Sequence, residues 1–230
     1  MSIYKNFYST SALFGHPTRM AILVALSDGK ALPAGEIAKM VKVSPQTTSE
    51  HLAKLMKAGF LNQQKSGKYR YYYIANPKVA EVVEGMLALS PEIEVCSMRD
   101  SLDKKALSYA RTCYGYLAGN LGIQLTKAMI NLDYIKDLGN SSLLTQKGYA
   151  WTQEFGLTST KKFLTQTIPY HVDWTERKFH IAGPFALQLT KKLLTLQWLE
   201  EGTIHRSVWG TPQGHQGFVD EFGFKPAEKE

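Results

Sequence analysis

Residues 33–75 read PAGEIAKMVKVSPQTTSEHLAKLMKAGFLNQQKSGKYRYYYIA. The first part predicts a short helix from about Ala34 to Met40, with Ile37, Ala38 and Val41 as its apolar stripe. Val43 closes a tight turn. Ser44 is a good N-cap, because its hydroxyl can accept from the exposed amides of the next turn, and Pro45 sits at the first helical position, where its missing N–H costs nothing. The second helix turns Thr48, Leu52, Leu55 and Met56 inward at helical spacing, and Gly59 ends it as a left-handed C′ residue. Phe60–Gln64 and Tyr69–Ala75 then alternate as two strands around Lys65-Ser66-Gly67-Lys68.

The outward face of the second helix collects Ser44, Gln46, Thr47, Ser49, Glu50, His51 and Lys54. In a helix-turn-helix the N-terminal part of the second helix enters the major groove, where Gln pairs with adenine and Glu accepts from cytosine. Lys65, Lys68 and Arg70 on the ribbon, with Arg19 upstream, would set positive charge on phosphates. The pattern is a winged helix-turn-helix and its expected partner is double-stranded DNA. Most of the ribbon tyrosines are expected to pack the ribbon onto the helices.

Charge supports that assignment. Residues 1–77 hold ten Lys/Arg against three Asp/Glu, a net of +7, whereas residues 78–230 hold seventeen of each. All of the excess lies on the half that carries the motif, as duplex binding requires. No apolar run approaches the roughly 18 residues of a transmembrane helix, the N-terminus lacks an apolar signal core, and two cysteines, Cys96 and Cys113, make no disulfide framework. The expectation is a cytoplasmic protein with no membrane partner. Two domains joined by a linker follow: 1–90 for DNA binding and dimerisation, a polar linker at 91–103, and 104–230 as a duplicated effector domain.

The stretches GHPTRMAILVAL (15–26), GEIAKMVKVSPQTTSEHLAKLMKAGFL (35–61) and GKYRYYYI (67–74) together resemble the ArsR-type winged-helix regulators. The resemblance covers about residues 9–90. It implies a homodimeric regulator, usually a repressor released by a ligand, with the dimer built from a helix near Tyr8–Phe14 and another near Lys78–Leu89. Metal-sensing members often carry a cysteine pair before the recognition helix, but Glu36–Lys42 has no cysteine, and Val79–Leu89 has no histidine. Both sites implied by the resemblance are therefore absent from the first half.

The second half repeats itself. LAGNLGIQLTKAMINLDYI (117–135) aligns with IAGPFALQLTKKLLTLQWL (181–199), and Thr145, Gly148 and Glu154-Phe155-Gly156 recur as Thr211, Gly214 and Glu221-Phe222-Gly223. Each copy is expected to open with a long helix, the first carrying Leu107, Ala110, Tyr114, Leu117, Leu121, Leu125 and Met129 on one face, with Ala-Gly at its middle for close helix approach. The fold class is then mainly α with small β wings (α+β): a winged helix-turn-helix plus a helical C-terminal domain of two degenerate winged-helix-like repeats. RTCYGYLAG (111–119) and DWTERKFHIAG (173–183) also resemble the C-terminal region of longer ArsR-type regulators.

Cys113, Tyr114, His171, Asp173, Trp174 and His180 are the candidate effector residues of this half. Thiolate, imidazole and carboxylate suit zinc or a related divalent ion, although the spacing is not a standard metal signature. Alternatively Asp173 caps a helix and His180 is hydrogen-bonded inside. An aromatic effector pocket from Tyr114, Tyr116, Trp151, Tyr170, Trp174, Trp198 and Trp209 is a second reading, and a Cys113 switch stabilised by Arg111 a third. A hydrolytic enzyme is the competing class, but the chain shows no phosphate loop, nucleophile elbow or zinc-protease histidine pair. No cofactor is required by the DNA-binding fold.

Overall fold

The computed structural model describes residues 2–91, 97–158 and 160–227. The chain divides into two compact units, Met1–Glu84 and Gly85–Glu230.

In the first unit a short 3-10 turn leads into α1 (Lys5–Phe14), α2 (Pro17–Ala25), β1 (Leu32–Pro33), α3 (Ala34–Val41), α4 (Pro45–Lys57), β2 (Leu61–Ser66), β3 (Tyr69–Ile74) and α5 (Pro77–Leu89). Ile22, Leu23 and Leu26, Ile37, Leu52 and Leu55, with Leu61 and Ile74, are almost wholly excluded from water and form its core. The α3–α4 turn puts Lys42 in the left-handed region at φ 54°, and Gly59 ends the turn after α4 at φ 73°, as its position in sequence required. β3 is the centre of a three-stranded sheet ordered β1-β3-β2, and Ser66 pairs with Tyr69, so the wing turns on Gly67-Lys68 alone. The winged helix-turn-helix is the fold of this unit. The division between units falls within α5.

The second unit contains α6 (Met98–Tyr109), β4 (Arg111–Cys113), β5 (Tyr116–Ala118), α7 (Gly119–Asn131), β6 (Ile135–Asp137), β7 (Ser141–Leu144), α8 (Gln146–Glu154), β8 (Ile168–Val172), β9 (Phe179–Ile181), α9 (Gly183–Thr195), β10 (Leu199–Glu201), β11 (Val208–Gly210) and α10 (Pro212–Phe222). A short 3-10 turn at Lys161–Leu164 precedes β8. The expected 91–103 linker is shorter than its composition suggested: Ser97 caps α6 through the Asp100 amide, and the helix has begun by Met98. Cys96 lies outside the described residues.

The repeat takes a form that differs from the expectation. Neither copy opens with a long helix. Each is a β-hairpin, a 13-residue helix, a second hairpin and a closing helix, so the unit is mixed α+β rather than helical. Ala-Gly is not in mid-helix but at its start. Ala118 and Ala182 are extended N-caps, and Gly119 and Gly183 follow at φ 80° and 74°. A Cβ on Gly119 would press on the Ser108 and Tyr109 carbonyls at 2.9 and 3.0 Å, which is why glycine stands there.

The two copies are interleaved. The Leu117 amide donates to the Thr190 hydroxyl at 2.8 Å, and the equivalent Ile181 amide donates to the Thr126 hydroxyl at 2.9 Å. β7 of the first copy pairs with β8 of the second, and β4 of the first is bridged to Ser207 beside β11 of the second. Thr145 and Thr211 cap the closing helices through the Gly148 and Gly214 amides, both at 2.9 Å. The closing helices meet through Phe155 and Phe222, ring centroids 6.1 Å apart. Each repeat thus completes hydrogen bonds and core that the other leaves open.

Candidate nucleic-acid interface

α4 is positioned by its cap and by its buried stripe. Ser44 Oγ accepts from the Thr47 amide at 3.1 Å and lies 2.8 Å from the Thr47 hydroxyl. The Ser44 hydroxyl is therefore committed to the cap. Thr48, Leu52 and Leu55 are buried, which leaves Gln46, Ser49, Glu50 and Lys54 exposed and Thr47 half-buried along the other side. In the wing, Lys65 is paired with Arg70 across the ladder, and Lys65, Lys68 and Arg70 are all exposed. Lys68 also lies 5.3 Å from the centre of the Tyr69 ring. Short polar groups on a helix and cations on an adjacent ribbon are the arrangement that reads base edges and holds phosphates.

Two residues expected on this surface are elsewhere. His51 is only 7 % exposed and faces His16, with ring centroids 4.4 Å apart. Helical spacing puts it beside Leu52 and Leu55 on the inner side. Arg19 is half-buried and donates to the Ala12 and Leu13 carbonyls at 2.6 and 2.8 Å, closing the C-terminal end of α1. Exposed Ala53 and Lys57, in register with Gln46 and Glu50, complete the outer face instead. Their spacing of three and seven residues from Glu50 was the available signal. Lys39 was also missed. It lines a cleft with Glu36 of α3 and Lys68, Tyr69 and Arg70 of the wing.

The effector candidates of the second unit do converge. Tyr116 and His180 occupy equivalent places in the two opening hairpins, and their cross-strand partners are Cys113 and His171. The Tyr116 hydroxyl lies 2.7 Å from His171 Nδ1, and Cys113 Sγ lies 3.6 Å from the same hydroxyl. His180 Nδ1 is 2.9 Å from the Ile181 carbonyl, and burial pushes its pKa down to about 4, against the smaller raising effects of that carbonyl and of Asp173. Tyr114 takes φ 49° in the turn between β4 and β5.

Asp173 does something other than cap a helix. Its side chain and that of Arg111 are both wholly buried, with Nη2 and Oδ2 2.9 Å apart. The carboxylate also accepts from the Gly119, Thr175 and Glu176 amides and the Thr175 hydroxyl. Burial alone would raise its pKa, but Arg111 and these donors outweigh burial and hold it below the ordinary value. Trp174 covers the guanidinium at 4.5 Å. Arg111 is thereby paired with Asp173.

The metal reading of this half loses its geometric support. Among the described residues no three His, Cys, Asp or Glu side chains are placed to hold one metal ion. Two of the aromatic residues pack on other rings: Trp151 stacks on Tyr134 at 4.7 Å and on Phe155 at 5.0 Å, and Trp198 meets Phe155 and Phe218, each at 5.7 Å.

Comparison with known proteins decides the family. The sequence profile of bacterial regulatory proteins of the arsR family matches residues 16–63, which run from the cap of α2 into β2. The uncharacterized HTH-type transcriptional regulator YdfF of Bacillus subtilis is 32 % identical over 222 residues, covering 96 % of this chain and 98 % of its own. The chain belongs to the ArsR family. It is a DNA-binding transcriptional regulator. The likeness to YdfF extends through the second unit, beyond the profile. The cadmium resistance transcriptional regulatory protein CadC of Listeria innocua is 38 % identical over 66 residues, 29 % of this chain and 56 % of that one. The crystal structure of the transcriptional repressor PagR of Bacillus anthracis superposes with a TM-score of 0.32 at 30 % identity, over 36 % of this chain and 98 % of that one. Among the described residues of this ArsR-family chain, no helix is long and apolar enough to cross a membrane.

Proposed function

We propose that the chain is a homodimeric, cytoplasmic repressor that reads a two-fold symmetric operator with Gln46, Thr47, Ser49, Glu50 and Lys54 of α4 and anchors on phosphates through Lys65, Lys68 and Arg70. The observation that carries this reading is the exposed polar face of a capped helix beside an exposed basic wing, on the half that holds the whole excess charge. The dimer is supported by apolar side chains left in water. Phe7 is 64 % exposed on α1, and Val82, Met86 and Leu89 are exposed on α5. Burial of such residues against a second copy would stabilise association at roughly 25 cal/mol per Å² of apolar surface. Footprinting on the chain's own promoter is expected to protect two half-sites about one helical turn apart. A monomer bound to an asymmetric site would overturn the proposal.

The second unit serves as the effector domain in this reading, with its chemistry at the Cys113, Tyr116, His171 and His180 cluster. Three buried polar or polarisable side chains gathered beside the half-buried His171 are more than packing requires. An effector that favours the non-binding dimer would lower DNA affinity, and by linkage DNA would weaken the effector equally, with a coupling of about 1–3 kcal/mol. Native mass spectrometry of the purified full chain, followed by DNA-release assays with whatever co-purifies, tests this. Cys113→Ser and His171→Gln variants that retain full induction in cells would refute the location.

A further inference from the structure

The first turn of α2 meets α4 through two imidazoles. His16 is the N-cap of α2, and its Nδ1 accepts from the Thr18 amide at 3.2 Å. That cap needs the lone pair, so a proton on Nδ1 converts the acceptor into a donor and removes the cap. His51 faces it from α4 with a ring tilted by 52°, and its own Nδ1 is buried without a hydrogen-bond partner. The charged groups acting on His51 are His16 and Arg19 from α2 and Lys54 and Glu50 from its own helix. Only Glu50 would welcome a proton. Arg19 is held in place by the two α1 carbonyls it binds.

We infer that the His16–His51 pair is a proton-sensitive seat for the recognition helix: neutral rings dock α4 on α2, and acid loosens that contact and weakens DNA binding. Both act as positioning residues, through the seat of α4. The inference rests on α4 being the recognition helix. Burial first, then His16, Lys54 and Arg19, hold His51 below its ordinary value of 6.5. The unfolded chain therefore accepts this proton at a higher pH than the folded one. Docking is strongest above 6.5 and weakens as the pH falls below it. The direction is diagnostic, because added positive charge elsewhere on the chain would by itself tighten phosphate binding in acid.

The test is fluorescence anisotropy of the full chain on a duplex from its own promoter, at constant ionic strength. Between about pH 7.5 and about pH 5.5 the wild type is expected to lose affinity measurably. His51→Gln and His16→Asn should each flatten that profile, since asparagine keeps the cap without titrating. Unchanged or tighter wild-type binding in acid overturns the inference, as does an equal acid loss in both variants. Should His51→Gln fail to fold, as judged by thermal unfolding at neutral pH, His16→Asn decides alone: a flat profile supports the seat and a wild-type loss refutes it. Absence of any binding at neutral pH, or base specificity that survives substitution of Gln46 and Glu50, would instead overturn the assignment of α4, and the seat with it.

Discussion

The wing of the first unit and the wing-like hairpins of the second share a plan, a helix followed by two antiparallel strands, yet they end in opposite environments. β2 exposes every residue after Leu61, and the β2–β3 tip reaches into solvent with Lys65, Lys68 and Arg70. β7, by contrast, is sewn between β6 and β8 in a four-stranded sheet, with Ser142 and Leu144 buried. The helices diverge in the same way. α4 buries four of its thirteen residues, whereas α7 buries eight of thirteen and has no broad polar face left for a groove. A helix-and-hairpin frame is therefore not in itself a DNA reader; it becomes one when packing leaves its outer face unclaimed.

The largest way to break this contrast is to attack what claims the inner faces. Asp173→Ala strands the buried Arg111 guanidinium and is expected to destabilise the second unit by about 3–5 kcal/mol. Chemical denaturation should show this while the circular dichroism of the first unit's helices persists. A loss under about 1 kcal/mol would mean that the ion pair is not what joins the repeats.

Acid sharpens the same point. His180 titrates at about 4 in the folded chain and at its ordinary 6.5 when unfolded. Its stabilising contribution is complete above about pH 6.5 and declines as the pH falls toward 4, to a loss of up to about 3 kcal/mol. Urea midpoints measured across that window should fall for the wild type and less steeply for His180→Gln. Parallel slopes would contradict the assignment.

The first unit is expected to respond more mildly. Ser44→Ala removes the α4 cap and should cost roughly 1 kcal/mol in thermal stability, whereas Ser44→Asp should restore most of it. Smallest of all in stability, and visible only on DNA, are Lys65→Ala and Lys68→Ala. Each should weaken specific and random duplexes alike and reduce the salt slope by about one unit. A Lys68 variant that instead changed sequence preference would make the wing a base reader.

The helix-turn-helix was legible because its signals are local. A serine before a proline, an apolar stripe at helical spacing and a glycine two residues past the helix fix one helix without help from the rest of the chain. His51 was misplaced because a polar residue among polar neighbours gives no sign of the ring that will meet it from α2. The opening hairpins of the repeats were hidden by coincidence. Leu107, Ala110, Tyr114, Leu117 and Leu121 fit a helical stripe, and they are buried or half-buried, but through a helix, a hairpin and a second helix. Tyr114-Gly115, at φ 49° and 85°, was the turn signal that should have broken the pattern. The Arg111–Asp173 clasp, 62 residues apart in sequence, had no local trace at all.

The exchange of Thr126 and Thr190 between the copies has a consequence for how the second unit can vary. Two identical chains around a two-fold axis must place the same side chain on both sides of it. Here the two halves are tethered in one polypeptide, so a substitution alters one side only. The register shows that freedom in use: cysteine faces tyrosine in one hairpin, and histidine faces histidine at the matching places of the other. A near-symmetric scaffold thus encloses an asymmetric centre.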